Sequence, residues 1–357
     1  MVVKKIVLTG GGTAGHVTPN LALIPELKKA GWEIHYIGTE NSIEEELISP
    51  IEGVVYHRVK SGKLRRYFDL KNLTDPFRVI QGSFQSFSLI KRLKADFVFS
   101  KGGFVSVPVV IGGWMNRIPV IIHESDLTPG LANKIAARFA KRVCTTFPET
   151  LDYFPKGKAI HTGTPIRPEL LKGDKTEGLA LCGFDPSKPV ILVMGGSQGS
   201  LAINNALRAI LDKLTKRFSV VHICGKGHID QKLEGKEGYK QFEYVNEELT
   251  HLMAMADIVI SRAGANSIYE FLALKLPSLL IPLPLSVSRG DQILNARSFE
   301  SQGFSKLLLQ ENMNDDTLYE AIIDLMLNKD RYIKTMEEKA MANSIHMIFD
   351  QIDRLLK

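Results

Sequence analysis

The sequence predicts an α/β protein of two domains, each a parallel sheet with helices on both faces. Three observations predict it. Apolar runs of strand length alternate with helical patterns along most of the chain, the grammar of parallel sheets. Two separate regions each open with a strand, a glycine-rich loop and a helix. The 357 residues exceed one typical domain and suit two.

Taken in order, strands are expected at 4–9, 33–37, 96–99, 118–122 and 142–145, with helices at 18–30 and 74–93 between them. From about 150 to 188 the rhythm lapses into a stretch rich in Gly, Pro and Lys that includes Thr162-Gly163-Thr164-Pro165. The first domain is therefore expected to span 1–163. The second, 164–340, has expected strands at 189–194, 218–223, 241–245, 257–260 and 277–281, and helices at 199–216 and 290–302. From about 314 the pattern is helical only. Its last piece, 343–356, sets Ile345, Ile348, Phe349, Ile352 and Leu355 on one face. Residues 341–357 are expected to form a C-terminal helix that packs back on the first domain.

Hydrophobic residues make up 44% of the chain and charged residues 24%, which provides ample core. No stretch reaches the roughly 18 apolar residues of a membrane span. Lys4-Lys5-Ile6-Val7-Leu8-Thr9 reads as a strand and lacks the pattern of a secretion signal. Cys144, Cys182 and Cys224 are scattered, form no CxxC and are expected to be reduced, buried thiols. The net charge of +6 is uneven: residues 1–163 hold 22 Lys/Arg against 14 Asp/Glu, and the rest hold 23 against 25. Residues 58–94 supply the whole excess, with ten basic residues against Asp69 and Asp75. Such a segment attracts an anionic partner: nucleic acid, an acidic lipid surface or a phosphorylated substrate.

The first glycine loop, Gly10-Gly11-Gly12-Thr13-Ala14-Gly15-His16, follows a strand, and Thr18-Pro19 then starts a helix. Glycines let the backbone approach a ligand closely, and the N–H groups of a helix start favour negative charge. Gly10-x-Gly12-x-x-Gly15 matches the dinucleotide fingerprint. A dinucleotide site also wants an acidic residue closing the second strand, and Glu40 falls slightly late for that. A second loop, Lys101-Gly102-Gly103-Phe104-Val105-Ser106, follows another strand of the first domain. The third, Met194-Gly195-Gly196-Ser197-Gln198-Gly199-Ser200, opens the second domain. In open α/β sheets such loops gather at the carboxyl ends of the strands, where ligands bind. Two facing sheets would form one cleft.

Polar residues cluster at the same ends. Ser261-Arg262-Ala263-Gly264-Ala265-Asn266-Ser267 opens a helix that carries Glu270, either a ribose-binding carboxylate or a dipole-complementing one. Asp291, Gln292 and Asn295 start another helix, and Arg167 sits at the domain junction. His123-Glu124-Ser125-Asp126 follows a buried strand. Of the nine histidines, only His16 and His123 have contexts of this kind.

Together these residues resemble the MurG family of bacterial cell-wall glycosyltransferases. Seven ordered motifs carry the resemblance over nearly the whole chain: GGGTAGH at 10–16, KGGFVSVP at 101–108, HESD at 123–126, GTPIR at 163–167, MGGSQGS at 194–200, SRAGANSIYE at 261–270 and DQILNA at 291–296. The family transfers N-acetylglucosamine from UDP-N-acetylglucosamine to lipid I, undecaprenyl-pyrophosphoryl-N-acetylmuramyl-pentapeptide, giving lipid II for peptidoglycan.

The resemblance implies the GT-B fold, two Rossmann-like domains facing across a cleft, and a metal-free, inverting displacement without a cofactor. It implies donor contacts at Arg167, Ser197, Val245, Ala265, Glu270 and Gln292. Thr13, Gly15, Gly102, Gly103 and Ser106 fall in the acceptor and phosphate loops. The acceptor hydroxyl must lose a proton, and a histidine of ordinary pKa suits that task. His16 is the expected base, with Asp126 and Glu124 as the alternatives.

Three positions depart from the family pattern: Asp126 stands where many relatives have Asn, Ala14 replaces a common glycine, and Val107 stands where glycine is frequent. The basic segment then reads as a contact with an anionic membrane surface, with Leu64, Tyr67, Phe68, Phe77, Val79, Ile80, Phe84 and Phe87 among its cations and Trp114 nearby. The expected location is peripheral, on the cytoplasmic face of the membrane, beside other cell-wall synthesis proteins and without nucleic acid. The rival readings are a UDP-N-acetylglucosamine 2-epimerase of the same fold, a nicotinamide-dependent oxidoreductase, and a non-catalytic sugar-nucleotide-binding subunit.

Overall fold

The computed structural model describes residues 3–62, 71–196, 199–339 and 343–357, with only the backbone of 71–76. The chain forms two compact units, Met1–Arg167 with Met341–Lys357, and Pro168–Ala340.

The first unit holds strands β1 (Lys5–Thr9), β2 (Glu33–Gly38), β3 (Val54–Arg58), β4 (Phe97–Ser100), β5 (Val120–Glu124), β6 (Arg142–Thr145) and β7 (Ala159–His161). They form one parallel sheet of seven strands in the order β3-β2-β1-β4-β5-β6-β7. Alternate residues along each strand point to opposite faces. Ile6, Leu8, Phe97, Phe99 and Ile121 fill one face. Val7, Val98, Val120, Ile122 and Val143 fill the other. Helices cover both faces, so the strands read as continuous apolar runs. Helix Ser344–Leu356 puts Ile345, Ile348 and Ile352 into the first of these layers.

The second unit holds β8 (Val190–Met194), β9 (Ser219–Ile223), β10 (Tyr239–Phe242), β11 (Ile258–Ser261), β12 (Ser278–Leu280) and β13 (Ser305–Leu307). Its parallel sheet has six strands in the order β10-β9-β8-β11-β12-β13. Ile191, Val193, Val220, Ile258, Ile260 and Leu279 pack against Leu207, Leu211 and Leu214 of one helical layer and Leu318 and Ile322 of another helix.

Three strands had no sequence expectation. β3 lies at a sheet edge with residues only partly covered, and β7 and β13 have three residues each. The strand expected at 241–245 lies at 239–242, so Tyr244 and Val245 fall beyond its carboxyl end. The lapse at 150–188 contains β7, a short 3-10 turn at Pro168–Lys172 and helix Lys175–Cys182.

Both sheets reverse direction of strand addition at one place. In the first this lies between β1 and β4, in the second between β8 and β11. Loops leaving the carboxyl ends of strands at such a point diverge and leave a crevice for a ligand. The glycine loops occupy these two positions.

Candidate active site

In the first unit the loops after β1 and β4 touch backbone to backbone. The Gly11 N–H donates to the Gly102 carbonyl at 3.3 Å. A Cβ on Gly103 would stand 2.2 Å from the Gly11 oxygen. Only paired glycines permit this approach. Ser106, at the start of helix Ser106–Met115, is buried, and its hydroxyl donates to the Gly103 carbonyl at 2.8 Å. Thr13 and Gly15 are exposed and His16 is half-buried, in a turn of 3-10 helix. Thr13 Oγ1 lies 3.0 Å from His16 Nδ1.

Glu44, which the sequence did not single out, holds the first loop from below. Its buried carboxylate accepts from the Gly12 N–H at 3.1 Å and from the Thr39 hydroxyl at 2.7 Å. Glu40 is exposed and lies beside Arg58. The acid that serves the first glycine loop is therefore Glu44 and not Glu40.

The His123–Asp126 loop rests on buried polar groups. Glu124 accepts at one oxygen from the Asp126 N–H at 3.0 Å, and at the other from the Gly130 N–H at 3.0 Å and Asn133 Nδ2 at 2.9 Å. Burial, with Asp126 nearby, pushes its pKa up to about 6 against these hydrogen bonds. His123 Nε2 lies 2.8 Å from the Gly163 carbonyl, which can only accept, so Nε2 carries the proton. Its Nδ1 lone pair then accepts from Lys101 Nζ at 2.5 Å, and Lys101 also donates to Ser125 Oγ at 2.7 Å. Burial and the Lys101 charge keep His123 neutral, with a pKa well below the ordinary value. Lys101 is 1% exposed. Asp126 is half-buried on the same loop.

In the second unit a pocket of about 500 Å³ lies at the reversal point between β8 and β11. Gly195, Gly199, Ser200, Arg262, Gln292 and Gln310 are among its lining residues. Helices Leu201–Ala209, Ala265–Ala273 and Asp291–Ser301 all begin beside it. Ser200 caps the first of them by accepting from the Ile203 N–H. Gln292 Oε1 accepts from the Leu283 N–H at 3.1 Å, which fixes its amide at the wall.

Arg262 is 8% exposed. Its guanidinium donates to the Ile281 and Pro282 carbonyls at 2.9 and 3.1 Å and to Ser200 Oγ and Gln310 Oε1 at 2.7 Å each. All four acceptors are neutral. No carboxylate pairs with it among the described residues. Burial lowers its pKa. A buried cation that meets only dipoles is costly, and an anionic ligand in the pocket would offset that cost.

Ala265 is the first residue of its helix and is buried. Glu270 is also buried and sits in the second turn, beyond the reach of the dipole at the helix start. The dipole-complementing reading of Glu270 therefore loses its basis. Val245 is half-buried and is not among the lining residues of this pocket. Arg167 is the last residue of the first unit's main segment and is half-buried. Ser197 lies outside the described residues.

Models of two domains match in order: the glycosyltransferase family 28 N-terminal domain over residues 6–145 and the family 28 C-terminal domain over 190–352. The chain belongs to glycosyltransferase family 28. It is 55% identical over 351 residues, 98% of each chain, to the UDP-N-acetylglucosamine–N-acetylmuramyl-(pentapeptide) pyrophosphoryl-undecaprenol N-acetylglucosamine transferase of Clostridium tetani. The transferase of the same name from Geobacillus kaustophilus is 57% identical over 345 residues, 97% of each chain. Among solved structures, MurG of Acinetobacter baumannii aligns with a TM-score of 0.78 at 25% identity, covering 98% of this chain and 99% of that one. The MurG-type resemblance and the two-domain GT-B fold expected from the seven motifs both stand, and family 28 membership makes the chain a glycosyltransferase.

Proposed function

We propose that the protein moves N-acetylglucosamine from UDP-N-acetylglucosamine to lipid I, giving lipid II. The observation that carries this is the 55% identity, over 98% of both chains, to a transferase of that activity by name. On this reading the second unit holds the donor. Arg262, the helix starts around the pocket and the loop containing Ser197 meet the diphosphate, with Arg167 added from the junction. Gln292 and Glu270 take sugar and ribose hydroxyls, and Ala265 and Val245 flank the nucleotide.

The first unit holds the acceptor, with Thr13, Gly15, Gly102, Gly103 and Ser106 lining its approach. His16 takes the proton of the acceptor hydroxyl as the new O–C bond forms at the anomeric carbon. The old C–O bond breaks, and its electron pair leaves with UDP, whose charge is met by the fixed donors. His16 accepts at Nε2 when its Nδ1–H donates to Thr13. Glu124, considered above as an alternative base, fits loop support better, because three N–H groups already use its oxygens.

The acceptor's lipid places the reaction at a membrane surface. Among the described residues no helix is long and apolar enough to cross one. Helix Lys71–Leu93 instead exposes Phe77, Ile80 and Phe84 along one face, beside Arg78. Trp114 is exposed on helix Ser106–Met115. Aromatic and aliphatic groups among cations suit an anionic leaflet, and the enzyme would work there on the cytoplasmic face with other cell-wall enzymes. Lys63, Leu64, Arg65, Arg66, Tyr67 and Phe68 of this segment lie outside the described residues.

The test incubates the purified full chain with labelled UDP-N-acetylglucosamine and a short-chain lipid I analogue in EDTA. Label should pass to the analogue as UDP is released. No transfer overturns the assignment. Transfer that stops in EDTA and returns with added divalent metal overturns its metal-free part. Conversion of the donor to its 2-epimer would favour the epimerase reading.

A further inference from the structure

His222 is a buried titratable group that the reaction scheme above does not use. It lies in β9, 0% exposed, and both of its ring nitrogens have partners. Nδ1 is 2.8 Å from the Tyr239 hydroxyl of β10, and Nε2 is 2.9 Å from Asn204 Oδ1. Asn204 is equally buried, one turn into helix Leu201–Ala209. Its Nδ2 donates to the Cys224 carbonyl, just past the end of β9, at 2.8 Å.

That last contact sets the direction of the whole chain of bonds. A carbonyl can only accept, so Asn204 turns Nδ2 to Cys224 and Oδ1 to His222. Oδ1 can only accept as well, so His222 Nε2 carries the proton. Nδ1 then keeps a lone pair and accepts from the Tyr239 hydroxyl. This last step needs a neutral ring, and burial, with the Arg208 charge nearby, lowers the His222 pKa to about 3.

The chain of bonds ends at the wall of the second unit's pocket. Gly199, with φ +76°, packs on the Cys224 carbonyl so closely that a Cβ there would stand 2.2 Å from the oxygen. Its N–H donates to the Gly196 carbonyl at 3.0 Å, and both glycines line the pocket. Apolar side chains could fill the space of Tyr239, His222 and Asn204 without desolvating polar groups. They could not hold a carbonyl at one place, as a fully satisfied polar network does.

We propose that His222 is a positioning residue for the donor: through Asn204 it fixes the Cys224 carbonyl, and with it the glycine wall that receives the diphosphate. This deepens the transferase reading and rests on its donor half alone. Backbone N–H groups of a loop and a helix start bind phosphate when their directions converge, so a displaced wall costs affinity. Arg262 holds the next residue of the loop, Ser200, by its hydroxyl. The loop's last turn is thus fixed at two successive residues, by a neutral chain of bonds at Gly199 and by a cation at Ser200.

The experiment measures UDP affinity by titration calorimetry, and KM for donor and acceptor separately, on the full chain near neutral pH. His222→Phe keeps the ring volume and removes both bonds. His222→Gln can still donate to Asn204 and accept from Tyr239. Leu325→Ala, in the same unit's core, is the control for lost stability. All are assayed at a temperature where circular dichroism shows them folded. His222→Phe should raise the Kd for UDP and the donor KM about three- to tenfold, the weight of one hydrogen bond, and leave the acceptor KM unchanged. His222→Gln should recover most of that loss, and Leu325→Ala should bind UDP as the wild type does. Unchanged UDP affinity in His222→Phe overturns the inference. So does equal weakening in Leu325→Ala, or a His222→Gln no better than His222→Phe. If His222→Phe does not fold, Tyr239→Phe, which removes only the hydroxyl at the head of the chain, should weaken UDP binding in the same direction, and unchanged binding overturns the inference. If the wild type binds no UDP, the donor reading itself fails, whereas wild-type binding that the variants share removes only the role of His222.

Discussion

On the transferase reading proposed above, much of the chemistry falls to one side chain, His16, and its neighbour. A base at Nε2 needs its lone pair there, which requires the proton on Nδ1. Thr13 Oγ1, 3.0 Å away, is placed to accept that proton. His16→Ala should lower kcat by roughly 10²–10⁴-fold with a smaller change in KM, as steady-state assays with both substrates would report. Thr13→Val should reduce kcat less, because the ring remains but its tautomer is no longer fixed. A loss confined to KM in His16→Ala would move this residue from proton transfer to binding.

The same residue scale separates what was legible in the sequence from what was not. His16 and the glycines stood out because each sits in a recognisable loop after a strand. Lys101, Arg262 and Glu44 matter as much to the geometry, yet each is one charged residue in a segment whose pattern does not say whether it points in or out. Lys101 and Arg262 did carry a faint signal: each stands between a buried apolar strand and a glycine. Glu124 shows the opposite case. Its place in HESD suggested a base, and only folding reveals the three N–H groups that occupy it.

At the scale of elements, the glycine loops are constrained by contact as well as by backbone angle. Gly103 has φ +81° and Gly12 has φ +85°. Both conformations disfavour a side chain by roughly 1–2 kcal/mol. Their surroundings differ: a Cβ on Gly103 would meet the Gly11 oxygen at 2.2 Å, whereas one on Gly12 meets nothing within 4 Å. Gly12→Ala should therefore cost about the backbone penalty alone. Gly103→Ala should also force the two loops apart, with a larger drop in the urea midpoint and a fall in kcat/KM. Equal effects in the two variants would show that loop contact contributes nothing.

The strands that were readable in advance are those buried on both faces, such as β1, β4 and β8, where an uninterrupted apolar run leaves little choice. β3 was not, because Val54–Arg58 mixes two valines with Tyr, His and Arg at a half-covered edge. β13 was not, because three residues hold no period.

At the scale of the whole molecule, the chain leaves the first unit at Arg167 and returns to it at Met341. The return is made by one amphipathic helix, Ser344–Leu356, capped by Asn343. Ile348 and Ile352 are 0% and 2% exposed and pack with Ile6, Leu8, Leu27 and Phe97. Burying each isoleucine contributes about 1.5–3 kcal/mol. The helix as a whole thus matters on the scale of a domain's net stability, about 5–15 kcal/mol. Because each unit has its own core, calorimetry should resolve two unfolding transitions. Ile348→Ala should lower one by about 2–5 kcal/mol, although residue 348 follows the entire second unit in sequence. Leu325→Ala, in the second unit's core and equally buried, should lower the other. If both substitutions shift a single common transition, the two units unfold as one, and the last helix stabilises the whole chain instead of the first unit's sheet alone.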